Sequence, residues 1–236
     1  MNEQRDYTVY AQQGARPGSA LAIRNKVLRQ TYTLLAISLI PTVIGAWLGM
    51  TTGINLAMAQ SPGMTMIVFL VGAFGLMFGI ERTKNSSTGV WLLLLFTLFM
   101  GVMLSQMLGF VLGMANGPQL VMLAFGGTAL IFGAMATLAN VVKRDLGGLA
   151  KMLFVGAVLL MIAGIANIWL QLPALMLTFS VLAIVIFSAF MLVDVQRVVN
   201  GGETNYIVAT LAIYLDLYNV FVNLLALLGI FGGERR

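Results

Sequence analysis

The chain contains no histidine and no cysteine. Without histidine there is no Ser-His or Cys-His catalytic pair, no imidazole metal ligand and no neutral-pH imidazole shuttle. Without cysteine there are no disulfides, thiolate nucleophiles, zinc clusters or iron–sulfur ligands, and the redox compartment is not legible. Charge is scarce as well: only 9% of the 236 residues are Asp, Glu, Lys or Arg. A soluble domain carries roughly 25%. What fills the space is apolar, at 60% hydrophobic residues and a mean hydropathy of +0.96. The chain therefore reads as an integral membrane protein. Its net charge of +5 is not gathered into a basic arm interleaved with aromatics, so nucleic acid is not a partner.

Thirty mostly polar residues, with Glu3, Arg5, Asp6 and Arg16 among them, precede the first apolar run. A secretory signal has a short basic start, so the first membrane helix is expected to stay attached. Residues 1–18 read as a flexible tail ending in Pro17-Gly18. Residues 19–30, with Arg24, Lys26 and Arg29, suit a basic amphipathic lead-in, either lying on the membrane surface or extending the first span. Residues 31–233 form the membrane domain.

That domain divides by length. A span needs roughly 20 residues, whereas no charge occurs between Arg29 and Glu81, between Asn85 and Val142, or between Met152 and Val193. Turn residues halve each run: Ser61-Pro62-Gly63, Asn116-Gly117-Pro118 and Gln171-Leu172-Pro173. The predicted spans are 31–51, 63–81, 89–112, 119–142, 150–170, 174–198 and 206–230. Eleven of the thirteen basic residues lie in the tail and the even-numbered turns, so the N-terminus is expected in the cytoplasm. Seven spans then put the C-terminus in the periplasm. Arg235 and Arg236 favour the other side, and the alternative is a last segment that re-enters. The pairs Gly75 and Gly79, Gly109 and Gly113, and Gly229 and Gly233 are spaced for close helix approach. Gly126-Gly127 also suggests close packing, and the 16 methionines read as core or lipid-facing filler.

Two carboxylates, Asp194 and Asp216, stand inside the last two apolar runs. Ionisable groups at such depth face a protein interior or a water-filled path. Asn219 and Asn223 follow Asp216 at helical spacing and give the last span one polar face. Asp194 shares its face with Arg197. Counted from the helix ends, the two carboxylates are about 7 and 15 Å deep, close enough to pair if the last helix starts outside the membrane plane. A pair in contact would hold one proton between its members and so respond to pH. Otherwise each Asp is satisfied separately, Asp194 by Arg197. Arg82, beside Glu81 at the end of the second span, is a further latch cation or a plain interfacial anchor. Gly201-Gly202-Glu203-Thr204-Asn205 is a tight turn in which Thr204 is expected to cap the last helix. No resident metal or cofactor is expected. Calcium takes six to eight oxygens, so Asp194 and Asp216 would hold it weakly and transiently. Intramembrane aspartyl proteolysis would use two such carboxylates, but Leu215-Asp216-Leu217 lacks its Gly-Asp sequence, and the chain is not read as an enzyme.

The segments KVLRQTYTLLAISL, FGLMFGIERTKNSSTG, FGGTALIFGAMA, ANIWLQLPAL and above all GGETNYIVATLAIYLDLYNVFVNLLALLG resemble the Bax inhibitor-1 family, also called the transmembrane BAX-inhibitor-motif family. The similarity runs from about residue 26 to 230 and is greatest to the bacterial, YccA-like branch. The resemblance implies an all-α integral membrane fold with six helices surrounding a central C-terminal seventh. It implies an inner-membrane protein that binds and modulates the FtsH membrane protease, presenting its cytoplasmic tail to it. The alternative it implies is a pH-sensitive calcium or cation leak, with Asp194 and Asp216 in the places of the family's sensing pair. The arginine that holds that pair lies within the family's second helix. Here the nearest basic residue, Arg82, stands at that helix's end.

Overall fold

A computed structural model describes residues 17–232. The tail up to Arg16 and the terminal Arg235 and Arg236 lie outside these residues. The described chain is all helix: α1 (Pro17–Thr51), α2 (Ile54–Gln60), α3 (Pro62–Thr83), α4 (Ser87–Leu112), α5 (Gly117–Val141), α6 (Gly147–Leu170), α7 (Pro173–Val199) and α8 (Tyr206–Gly232). Seven of these are long and apolar enough to cross a membrane, and only α2 is not. Six predicted spans fall inside an observed helix, and the fourth, 119–142, overruns α5 by the one residue Val142, which is already extended. The turn after the first span holds the short helix α2, which the turn residues did not reveal.

The boundaries follow from the residues the periodicity pointed to. Pro62, Pro118 and Pro173 stand in the first turns of α3, α5 and α7, where a proline has no helix donor to lose. Gln171 ends α6 in the left-handed conformation. The Asn167 side chain accepts from the backbone N–H of Leu172 at 3.1 Å and helps hold that turn. The basic stretch and the first span are one continuous helix of 35 residues. At 1.5 Å per residue it is about 52 Å long, well beyond a hydrocarbon core of ~30 Å.

Polar side chains pin the even-numbered turns together at one end of the bundle. Asn205, between α7 and α8, donates to the Lys84 carbonyl at 2.9 Å and to Asn85 Oδ1 at 3.0 Å. Gln196 donates to the carbonyls of Val142 at 2.7 Å and Arg144 at 3.1 Å. At the opposite end Asn116 donates to the Gly232 carbonyl. α8 thus starts beside one set of turns and ends beside the other, in one unbroken helix. The re-entrant alternative is overturned.

α8 packs against α1, α3, α4, α5 and α7, whereas α6 packs against α7 alone. The last helix is not ringed by all six others as the resemblance implied, because α6 stands outside. The tightest crossing joins α1 to α4. A Cβ on Gly45 would lie 2.1 Å from the Leu98 carbonyl oxygen, and one on Gly101 would lie 2.0 Å from that of Thr42. Gly49 faces a side chain instead, its Cβ position lying 2.2 Å from Ser105 Oγ. At Gly45 and Gly101 backbone meets backbone, as small residues permit in membrane helices. The glycine pairs singled out from spacing do other things. A Cβ on Gly75 would meet nothing within 4 Å, and one on Gly109 would meet the side chain of Asn55 on α2. Gly127 faces Leu224 of α8, but Gly126 faces open space.

Candidate functional site

α7 and α8 are joined by a turn in which Gly201 has a φ of 76°. The backbone N–H groups of Gly202 and Glu203 both donate to the Arg197 carbonyl, at 2.8 and 3.1 Å. The last helix is capped by Asn205, not Thr204. Its Oδ1 accepts from Ile207 N at 3.0 Å and Val208 N at 3.2 Å. Asparagine suits this role because its side chain carries an acceptor for the free N–H groups and donors for the neighbouring turn.

Folded this way, α7 and α8 bring Asp194 and Asp216 together, and the two side chains lie within hydrogen-bonding reach of each other. A hydrogen bond between two carboxyl groups requires a proton on one of them. Asp216 is 4% exposed, and its Oδ2 finds no partner among the described residues. Asp194 is the more open member, with 14% of its side chain exposed, and Arg197 Nη1 stands 3.5 Å from its Oδ1. That separation is long for a hydrogen bond, and the arginine side chain is itself 58% exposed.

Arg197 is therefore the cation that meets the pair. Arg82 is exposed and lies over the Phe78 ring, 5.1 Å from its centroid, while Glu81 pairs with Lys84. Asn219 and Asn223 share the face of Asp216 as the periodicity indicated. Their amides, however, turn back onto the helix: Asn219 donates to the Leu215 carbonyl and Asn223 to that of Asn219, each at 2.8 Å.

Sequence reasoning missed the hydroxyls that join α8 to its neighbours. Tyr214 OH and Thr42 Oγ1 share a hydrogen bond of 2.8 Å with α1. Tyr218 OH donates to the Met100 carbonyl of α4 at 3.2 Å, and Thr210 Oγ1, which donates to the Tyr206 carbonyl of its own helix at 2.6 Å, lies 3.3 Å from the Thr31 carbonyl of α1. Tyr214 is fully buried and sets its ring edge-on to Phe96, centroids 6.1 Å apart. The available signal was the spacing of Tyr214 and Tyr218, two residues either side of Asp216. Buried tyrosines need partners for their hydroxyls.

Residues 24–233 match the family described as the inhibitor of apoptosis-promoting Bax1. The chain is 41% identical over 211 residues to the modulator of FtsH protease YccA of Escherichia coli K12, covering 89% of this chain and 93% of the relative. It is 40% identical over 213 residues to an uncharacterized protein of Neisseria meningitidis serogroup A, with the same coverage. An uncharacterized membrane protein of Vibrio cholerae is 35% identical over 206 residues, which cover 87% of this chain and 90% of that protein.

Proposed function

Because the chain belongs to the Bax inhibitor-1 family, we propose that it binds an FtsH-type membrane protease and restrains it, as a modulator and not as an enzyme. The observation that carries this reading is the 41% identity to an FtsH modulator over nearly the whole of both chains. The protein is a multi-pass inner-membrane protein with seven spans. On this reading its N-terminus and basic turns face the cytoplasm, where the basic residues favour placement, and its C-terminus faces the periplasm. The experiment is to raise its level in cells that contain the protease and to follow the half-life of a membrane-protein client by pulse-chase. The client should be degraded more slowly, and the tagged chain should co-purify with the protease. An unchanged half-life with no co-purification would overturn the proposal.

A second reading rests on the carboxyl pair. Asp194 and Asp216 would act as a pH-sensing gate for a cation leak, Arg197 as its latch, and Asn219 and Asn223 as polar groups along the path. Its support is the contact of two carboxyl groups with one of them buried, an arrangement sensitive to whether a proton is shared. Dye-reported calcium entry into proteoliposomes across neutral pH tests it. Asp194→Asn and Asp216→Asn should each flatten the pH response, and the double variant should resemble the singles because the groups act as a unit. No flux from the wild-type protein at any pH would remove this reading and leave the first in place.

A further inference from the structure

α1 and α5 both lean on α8, yet among the described residues their backbones stay apart, and the Tyr32 ring set edge-on to Phe132, centroids 6.0 Å apart, closes one end of the gap between them. Where Val27 packs near Val198, α1 closes on α7. Toward the opposite end Leu108 and Val111 of α4 pack with Leu120 and Ala124 of α5. Between these closures lies a cavity of about 1230 Å³. Leu39, Val43 and Trp47 of α1 form one rim, Met122 and Phe125 of α5 the other, and Tyr214 and Tyr218 of α8 the floor. The rim residues Val43, Trp47, Met122 and Phe125 are all more than half exposed, so the cavity opens sideways as a groove.

The lining offers little to a polar ligand. The hydroxyls of Thr42, Tyr214, Thr128 and Tyr218 are each engaged inside the protein, and only Tyr32 adds another to the wall. No charged side chain lines it. The groove follows α1 from Tyr32 to Met50, eighteen helical steps or about 27 Å, close to the hydrocarbon thickness of ~30 Å. A single acyl chain stops near the midplane and would fill half of that length, whereas a membrane helix would fill all of it. Gly126 stands in this wall with nothing within 4 Å of where its Cβ would be, and Ala36 and Ala129 line it too. Small residues of this kind let a second backbone come close.

We propose that this groove docks one uncharged transmembrane helix of the membrane protease. The inference rests on the protease-modulator reading and adds where the contact is made. It makes restraint a matter of helix packing within the bilayer, since no charge in the groove can steer the partner.

Photo-crosslinking in intact membranes tests it. A benzophenone amino acid is placed at Val43 or Phe125 on the groove rims, and as a control at Phe154 on α6, which is exposed and no part of the groove. The groove positions should yield adducts whose peptides map to a transmembrane segment of the protease, and Phe154 should not. Ala129→Trp and Val43→Trp, at exposed positions, should lower the adduct yield and the protection of the client several-fold. If either variant fails to accumulate, the crosslinks on the otherwise native chain still decide. Adducts with lipid alone, or with a second copy of this chain, would overturn the inference. Protease adducts from Phe154 but not from the rims would overturn it while the modulator reading stood. Absence of adducts together with unchanged client turnover would remove both.

Discussion

The two long edges of α1 treat their neighbours in opposite ways. Along one edge Gly45 and Gly49 let α4 come so close that a single added carbon would overlap the Leu98 backbone or the Ser105 side chain. Along the other, Leu39, Val43 and Trp47 look across an open groove to α5, and only at its end does the Tyr32 ring among the described residues stand edge-on to Phe132. Both edges are apolar, and hydropathy does not tell them apart. In water two such faces would each have been drawn onto a partner. In a bilayer the lipid tails are as apolar as leucine, so helices close only where backbones can meet or hydrogen bonds cross between them. α1 and α4 meet through glycine; α1 and α8 are tied by Thr42 and Tyr214; α1 and α5 have neither, and come together at the rings of Tyr32 and Phe132.

The largest expected effect comes from breaking the closed edge. In Gly101→Leu the new side chain would enter the Thr42 backbone, which has nowhere to move. The loss should exceed the ~1–3 kcal/mol usual for an overpacked core. It would be read as a large fall in the detergent melting temperature or a failure to accumulate in membranes. A variant melting with the wild type would show that the two helices part without cost and would dissolve the comparison. The smallest effect belongs to the open edge. Gly126→Ala adds its methyl to empty space and should hold stability level or raise it by up to about 1 kcal/mol through helix propensity. A marked fall in melting temperature would mean that α5 is already covered in the isolated protein.

Much of this was legible from composition and punctuation. Charge-free runs too long for one span, divided at Pro62, Pro118 and Pro173, located seven helices, and the isolated carboxylates marked where α7 and α8 would have something to share. Contact partners were less legible. Gly75 and Gly79 have the same spacing as Gly45 and Gly49, but a Cβ on Gly75 would meet nothing within 4 Å, while those on the second pair would lie 2.1 and 2.2 Å from atoms of α4. Spacing places residues on one face of a helix and is silent on what that face meets. Arg82 lies in the right stretch of sequence to reach the carboxylates, and its guanidinium rests on Phe78 instead. Asn205 took the cap from Thr204 because its amide could serve the α3–α4 turn and the helix end together.

The sequence by itself determined that the chain lies in a membrane, how many times it crosses, and which two acidic residues sit among apolar ones. These follow from local quantities: the ~20 residues a span requires, the backbone preferences of proline and glycine, and the penalty on charge in hydrocarbon. Only the tertiary structure decided that Asp194 meets Asp216 and Arg197, that Tyr214 reaches Thr42 across 172 residues, that α6 stands apart, and that a groove divides α1 from α5. Those outcomes depend on how far apart helix axes settle. In a bilayer that distance is set by the few places where a small residue meets a neighbour able to use it, and such a match exists only once both helices are in place.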